Sequence, residues 1–109
     1  MSRPETRYRA DFPVYVTWQE RQGGVRRANG TCLDISASGA LVETIDPIPS
    51  QCTVLLQSKS FGRMGHATVR YCRRPGMKYK VGLQFTSPIT LSDSMRQQLL
   101  EEVVGGNTT

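Results

Sequence analysis

Apolar and polar residues alternate through most of this chain, and the alternation predicts strands. Phe12-Pro13-Val14-Tyr15-Val16-Thr17-Trp18 is rich in β-branched and aromatic residues and sets Val14, Val16 and Trp18 on one face. Gln22-Gly23-Gly24 supplies a turn. Residues 25–36 read as a second strand interrupted at Asn29-Gly30, a pair that fits either a hairpin turn or a bulge. Asn29 follows Gly24 too closely for a second hairpin, so a bulge is expected. Residues 40–44 form a third strand, and Asp46-Pro47-Ile48-Pro49 is a loop. A fourth strand over residues 52–57 centres on Val54-Leu55-Leu56. Gly62 and Gly65 frame a turn into a fifth strand, residues 66–72. Pro75-Gly76 marks the next turn, and residues 78–85 align Tyr79, Val81, Leu83 and Phe85 on one face of a sixth strand.

The period then changes. Leu91, Met95, Leu99 and Val103 recur every four residues, with Leu100 and Val104 beside them, which predicts a helix over about residues 91–104. Thr90 and Asp93 have the spacing of a capping box, and Gly105 suits the stop. The apolar stripe suits core packing, with a partner groove as the alternative. Residues 1–11 are polar, charged and carry Pro4, and read as a flexible arm. The expected fold is all-β: a six-stranded antiparallel β-barrel with a C-terminal α-helix, one domain over residues 12–109. Closure protects strand edges that so short a chain could not cover otherwise.

Composition narrows the function. No run of about 18 apolar residues and no signal-peptide core are present, so no membrane insertion and a cytoplasmic location are expected. Lys and Arg number 14 against 9 Asp and Glu, a net charge of +5. Most of the cations are arginines, whose planar fork matches phosphates and the guanine O6/N7 edge. That balance favours an anionic, nucleotide-like partner; a merely soluble basic surface is the plain alternative. Cys32, Cys52 and Cys72 form no Cys-x-x-Cys pair, and His66 is the lone histidine. They read as buried free thiols, with no metal site and no cofactor. No Cys/His pair close in sequence and no Gly-rich phosphate loop before a helix is found, so no enzyme is expected.

Two short motifs carry candidate chemistry. Arg3-Pro4-Glu5-Thr6-Arg7 sets two arginines four residues apart, able to hold two faces of a compact dianion; a solvated basic terminus is the plainer reading. Asp34-Ile35-Ser36-Ala37-Ser38-Gly39 is an Asp-x-Ser-x-x-Gly turn. Asp34 and Ser36, two apart on a strand, are expected on one face with Ile35 pointing into the core. An ionised Asp34 is a pure acceptor, suited to the N1–H and N2–H donors of guanine. Ser36 can bond a phosphate, a ribose or the turn itself, and Gly39 is expected to permit positive φ and close approach of a ligand. The alternative is an ordinary turn in which Asp and Ser bond their own backbone. Arg70, opposite in direction to Val69, is a candidate phosphate contact if its face is the ligand side, and otherwise a surface arginine.

In this order and spacing, Arg3-x-x-x-Arg7, Tyr8, Asp11-Phe12-Pro13-Val14 and Asp34-x-Ser36-x-x-Gly39 resemble the PilZ domain family, and Gly82-Leu83-Gln84-Phe85 is similar to that family's last strand. The resemblance covers the chain from Arg3 to the C-terminal helix. It implies a split barrel that binds the bacterial second messenger cyclic di-GMP and signals by conformational change to a separate, unidentified effector protein, in motility, exopolysaccharide production or biofilm formation. It also implies that Arg3 and Arg7 contact guanine and phosphate, and that Asp34, Ser36 and Gly39 hold the other side. Many members carry a further arginine before the pair; Ser2 stands there in this chain, which leaves open whether one or two messenger molecules bind. Two rivals remain: a PilZ-type adaptor acting through protein contacts alone, and a small-barrel nucleic-acid binder. Aromatic content of 7%, with Phe12, Tyr15, Trp18 and Phe85 assigned to the core, argues against nucleic acid as a partner.

Overall fold

The computed structural model describes residues 6–99, so Arg3 and the helix positions Leu100, Val103 and Val104 lie outside the described residues. Six strands follow in order: β1 (Tyr8–Gln19), β2 (Val25–Ile35), β3 (Gly39–Thr44), β4 (Thr53–Ser58), β5 (Gly62–Arg73) and β6 (Tyr79–Phe85). They close into an antiparallel barrel in the order β1-β2-β3-β6-β5-β4. A helical stretch, α1, covers residues 93–99.

The inward residues are those that the alternation picked out. Val14, Val16 and Trp18 of β1 meet Ala28, Cys32 and Ile35 of β2, Val42 of β3, Val54 and Leu56 of β4, Val69 of β5, and Val81, Leu83 and Phe85 of β6. Met95 and Leu99 of α1 join the same core, and Leu91 packs against it. Tyr15 instead faces outward, with the Arg27 guanidinium 4.1 Å from its ring centre. The sequence had counted it in the core, but its neighbours Val14 and Val16 occupy the inward positions.

Several local expectations are corrected. β1 begins at Tyr8, so residues 8–11, assigned to the arm, form strand: Tyr8 pairs with Ile35 and Arg9 with Asp34. Tyr8 and Ala10 pack against the core, which rewards the longer strand. Asn29-Gly30 is no bulge; Asn29 pairs with Tyr15 and Gly30 with Val14 in unbroken register. Gly30 is needed because a Cβ there would lie 2.5 Å from the Glu43 carbonyl oxygen on β3. Gly65 lies within β5 rather than in a turn, paired with Leu56, and Met64 is the extra residue of a bulge beside it. The helix is capped by Ser92, not Thr90: Ser92 Oγ accepts from the Met95 N–H at 3.1 Å.

Candidate functional site

Strand register lines up one row across the barrel: Arg9 opposite Asp34, Asp34 opposite Leu41, Leu41 opposite Gly82, and Gly82 opposite Tyr71. Asp34 owes its outward place to a bulge. Leu33 falls between the paired residues Cys32 and Asp34, where the register with β3 shifts. Strict alternation from buried Cys32 would turn Asp34 inward. The extra residue lets Asp34 face out and returns Ile35 to the core at 0% exposure.

Arg7, just before β1, reaches this point. Its Nη2 donates to Asp34 Oδ1 at 2.6 Å, an ion pair that joins the two motifs. Both side chains remain accessible, at 53% and 30% exposure for Arg7 and Asp34. A cation and a pure acceptor thus stand together on the outer face at one end of the barrel.

Ser36 and Gly39 take the ordinary-turn alternative, and two expectations of their placement are corrected. Ser36 does not share the outward face of Asp34; it is buried at 0% exposure. Its N–H donates to the Gly39 carbonyl at 2.8 Å, and its hydroxyl accepts from the Gly39 N–H at 3.2 Å. The hydroxyl also lies 3.3 Å from the Gly39 carbonyl oxygen, to which it donates. Ser36 therefore closes the turn that ends β2, because the strand stops at Ile35 and the chain must reverse within three residues. Gly39 is not among the positive-φ glycines of the described residues, which are Gly23, Gly62 and Gly65. It is glycine because a Cβ would lie 2.4 Å from the Leu83 carbonyl oxygen of β6. The turn is pinned from outside as well: the Phe85 N–H donates to the Ser38 carbonyl at 2.7 Å.

Arg70 lies on β5, outside the hydrogen-bonded Arg7–Asp34 pair. It is the unpaired residue of a bulge in β5, between Val69 opposite Leu83 and Tyr71 opposite Gly82. It is exposed while Val69 is buried, as its position predicts. In the closed barrel β5 is three strands from β2 and two from β1, the strand that Arg7 precedes. Beside it the Tyr71 ring lies across β6, so close that a Cβ on Gly82 would be 2.2 Å from it.

Two residues of this region escaped the sequence reading. Arg9 is exposed and pairs directly with Asp34; its two-residue offset from Arg7 was a signal for a shared face. Arg96 of α1 hydrogen-bonds Asp93 and shares a groove with Tyr8, and nothing local in the sequence indicates which strand a helix's polar flank will meet.

The cysteines stand apart from this chemistry. Cys32 is buried, and its thiol donates to the Asp34 carbonyl at 3.3 Å. Burial, reinforced by the Asp34 charge, pushes its pKa up to about 12. Cys52 and Cys72 are half-buried free thiols. Among the described residues no group of three or more His, Cys, Asp or Glu could hold a metal ion, and no helix is long and apolar enough to cross a membrane.

The family model described as PilZ domain matches residues 2–105. Solved structures share the fold at low identity. MrkH of K. pneumonia, in a complex with c-di-GMP, is 16% identical over 97% of this chain and 51% of its own, with a TM-score of 0.56. YcgR of Escherichia coli, also in complex with c-di-GMP, is 13% identical over 96% of this chain and 46% of its own, with a TM-score of 0.57. The inhibitor of motility MotI/DgrA of Bacillus subtilis is 20% identical over 97% of this chain and 51% of its own, with a TM-score of 0.57. The chain thus spans about half the length of these relatives. No curated protein sequence matches it.

Proposed function

This chain belongs to the PilZ domain family, and from that premise we propose that it is a receptor for cyclic di-GMP. The observation that carries the reading is the Arg7–Asp34 ion pair, which joins both motifs on one accessible face. Two relatives of the same fold, MrkH and YcgR, are described in complex with this messenger, which supports the ligand.

In this mechanism the pair is a preformed seat. Asp34 accepts from the N1–H and N2–H of a guanine, a contact that an acceptor-only group makes best. Arg7 turns its remaining donors to a phosphate, and charge-assisted bonds of this kind are the stronger ones. Arg9, opposite Asp34, adds a second cation. Arg3 completes the clamp with Arg7. Ser36 and Gly39 act at one remove, by holding the turn that presents Asp34. No catalytic step is involved, and no cofactor. The bound arm and ligand offer a new surface to an effector protein, with motility, exopolysaccharide or biofilm control as the output. Arg70, exposed on β5, is a further candidate phosphate contact.

Isothermal titration with cyclic di-GMP, and with linear di-GMP and GTP as controls, tests the proposal. Saturable binding of the cyclic form alone supports it, and the stoichiometry decides between one molecule and two. No binding of the cyclic form overturns it in favour of an adaptor that works through protein contacts.

A further inference from the structure

A groove of about 390 Å³ opens beside the Arg7–Asp34 pair, between the start of β1, the β2–β3 turn and α1. That volume falls in the range of small-molecule sites, about 300–1,000 Å³. Ala37, Ile89 and Leu91 give it an apolar wall, and Thr6, Tyr8 and Arg96 bring polar groups. The wall is fixed, because the Ile89 N–H donates to the Ala37 carbonyl at 2.9 Å and ties the chain after β6 to the turn. α1 is fixed too, through its Ser92 cap and the burial of Met95 and Leu99.

Arg96 follows the buried Met95, is exposed, and lines the groove. Its guanidinium bonds Asp93, and it lines the groove together with Tyr8, the residue after Arg7. The Asp93 side chain is 94% exposed, so that pair is wet and readily exchanged for a better acceptor. An apolar wall faced by an arginine fork is a site for a flat base with an acceptor edge. Guanine has such an edge in O6 and N7, which an arginine reads in a bidentate manner.

We propose that this groove seats one guanine of the bound cyclic dinucleotide and that Arg96 reads its O6/N7 edge. The inference rests on the receptor reading above. It divides the ligand's two bases: Asp34 takes one by its donor edge, and Arg96 takes the other by its acceptor edge. The two positions are neighbours, since Tyr8 lines the groove while the adjacent Arg9 pairs with Asp34.

The test compares cyclic di-GMP with the mixed cyclic GMP-AMP, in which an adenine amino group replaces the O6 acceptor on one base. The wild-type chain should bind cyclic di-GMP about tenfold more tightly or better, within the range one bidentate contact supplies. Arg96→Ala should lose that preference, by weakening cyclic di-GMP while leaving cyclic GMP-AMP within about twofold. Arg96→Lys, which keeps the charge and loses the fork, should lose it as well. Asp93→Asn, which removes only the helix partner of Arg96, should keep it. Equal weakening of both ligands by Arg96→Ala would assign Arg96 a merely structural role and overturn the inference. So would unchanged cyclic di-GMP binding in Arg96→Ala alongside lost binding in Arg7→Ala, an outcome that leaves the receptor reading standing. A wild-type chain that binds neither dinucleotide overturns the receptor reading, and this inference with it.

Discussion

Arg7 Nη2 and Asp34 Oδ1 stand 2.6 Å apart, so the residue just before β1 is tied to the end of β2 before any ligand arrives. The pair is exposed enough for water to screen it, and exposed pairs contribute at most about 1 kcal/mol to stability. Arg7→Ala should therefore leave the urea midpoint nearly unchanged. Its cyclic di-GMP affinity should fall at least about tenfold, as expected when a charge-assisted contact is removed. A large stability loss in this variant would mean that the pair is structural.

Ser36→Ala should behave in the opposite way. The Ser36 hydroxyl is buried and serves both polar groups of Gly39. Removing it strands the Gly39 N–H from that acceptor, at a cost of about 1–3 kcal/mol. Urea unfolding should show that loss without ligand present, and any binding defect should track it.

Gly39 and Gly82 make a matched pair for substitution by alanine. At Gly39 the added Cβ meets backbone, the Leu83 carbonyl oxygen, and only movement of β3 from β6 can relieve it. Gly39→Ala should cost about 1–3 kcal/mol or more, as overpacking does. At Gly82 the three atoms nearest the added Cβ all belong to the Tyr71 ring, a side chain that can swing away. Gly82→Ala should cost less, and in a Tyr71→Ala background nearly nothing. Equal losses at the two glycines would contradict this account of β6.

Cys32 predicts an alkaline limit. Burial pushes its pKa from the ordinary 9.0 up to about 12, so the folded state favours the protonated form. Above the ordinary value the unfolded chain sheds this proton first. The stabilising contribution is therefore full below pH 9.0 and is lost as pH rises toward about 12. Cys32→Ser should flatten the fall in thermal midpoint over that window. Native-state alkylation near neutral pH should modify Cys52 and Cys72 well before Cys32.

Much of this fold was legible because alternation fixes which side chains go inward, as with Val14, Val16 and Trp18. The bulges at Leu33, Met64 and Arg70 were not. A bulge has no composition of its own, and glycine signals several things at once. Gly30 looked like a bulge and proved to be a close approach of strands. The motif residues Arg7 and Asp34, which the structure brings together, were legible, but the separate place of Ser36 was not. Ser36 shares spacing with Asp34, yet the bulge and the strand end put the two on different faces. Arg96 was hidden because Tyr8, with which it lines the groove, lies far off in sequence.

The most direct test maps the ligand onto the chain by following backbone amide resonances during titration with cyclic di-GMP. The receptor account predicts shifts concentrated at Arg7–Arg9, Asp34–Gly39 and the start of α1, with little change in the β5–β6 hairpin around Pro75–Lys78. Shifts centred on that hairpin, or none at saturating messenger, would contradict it.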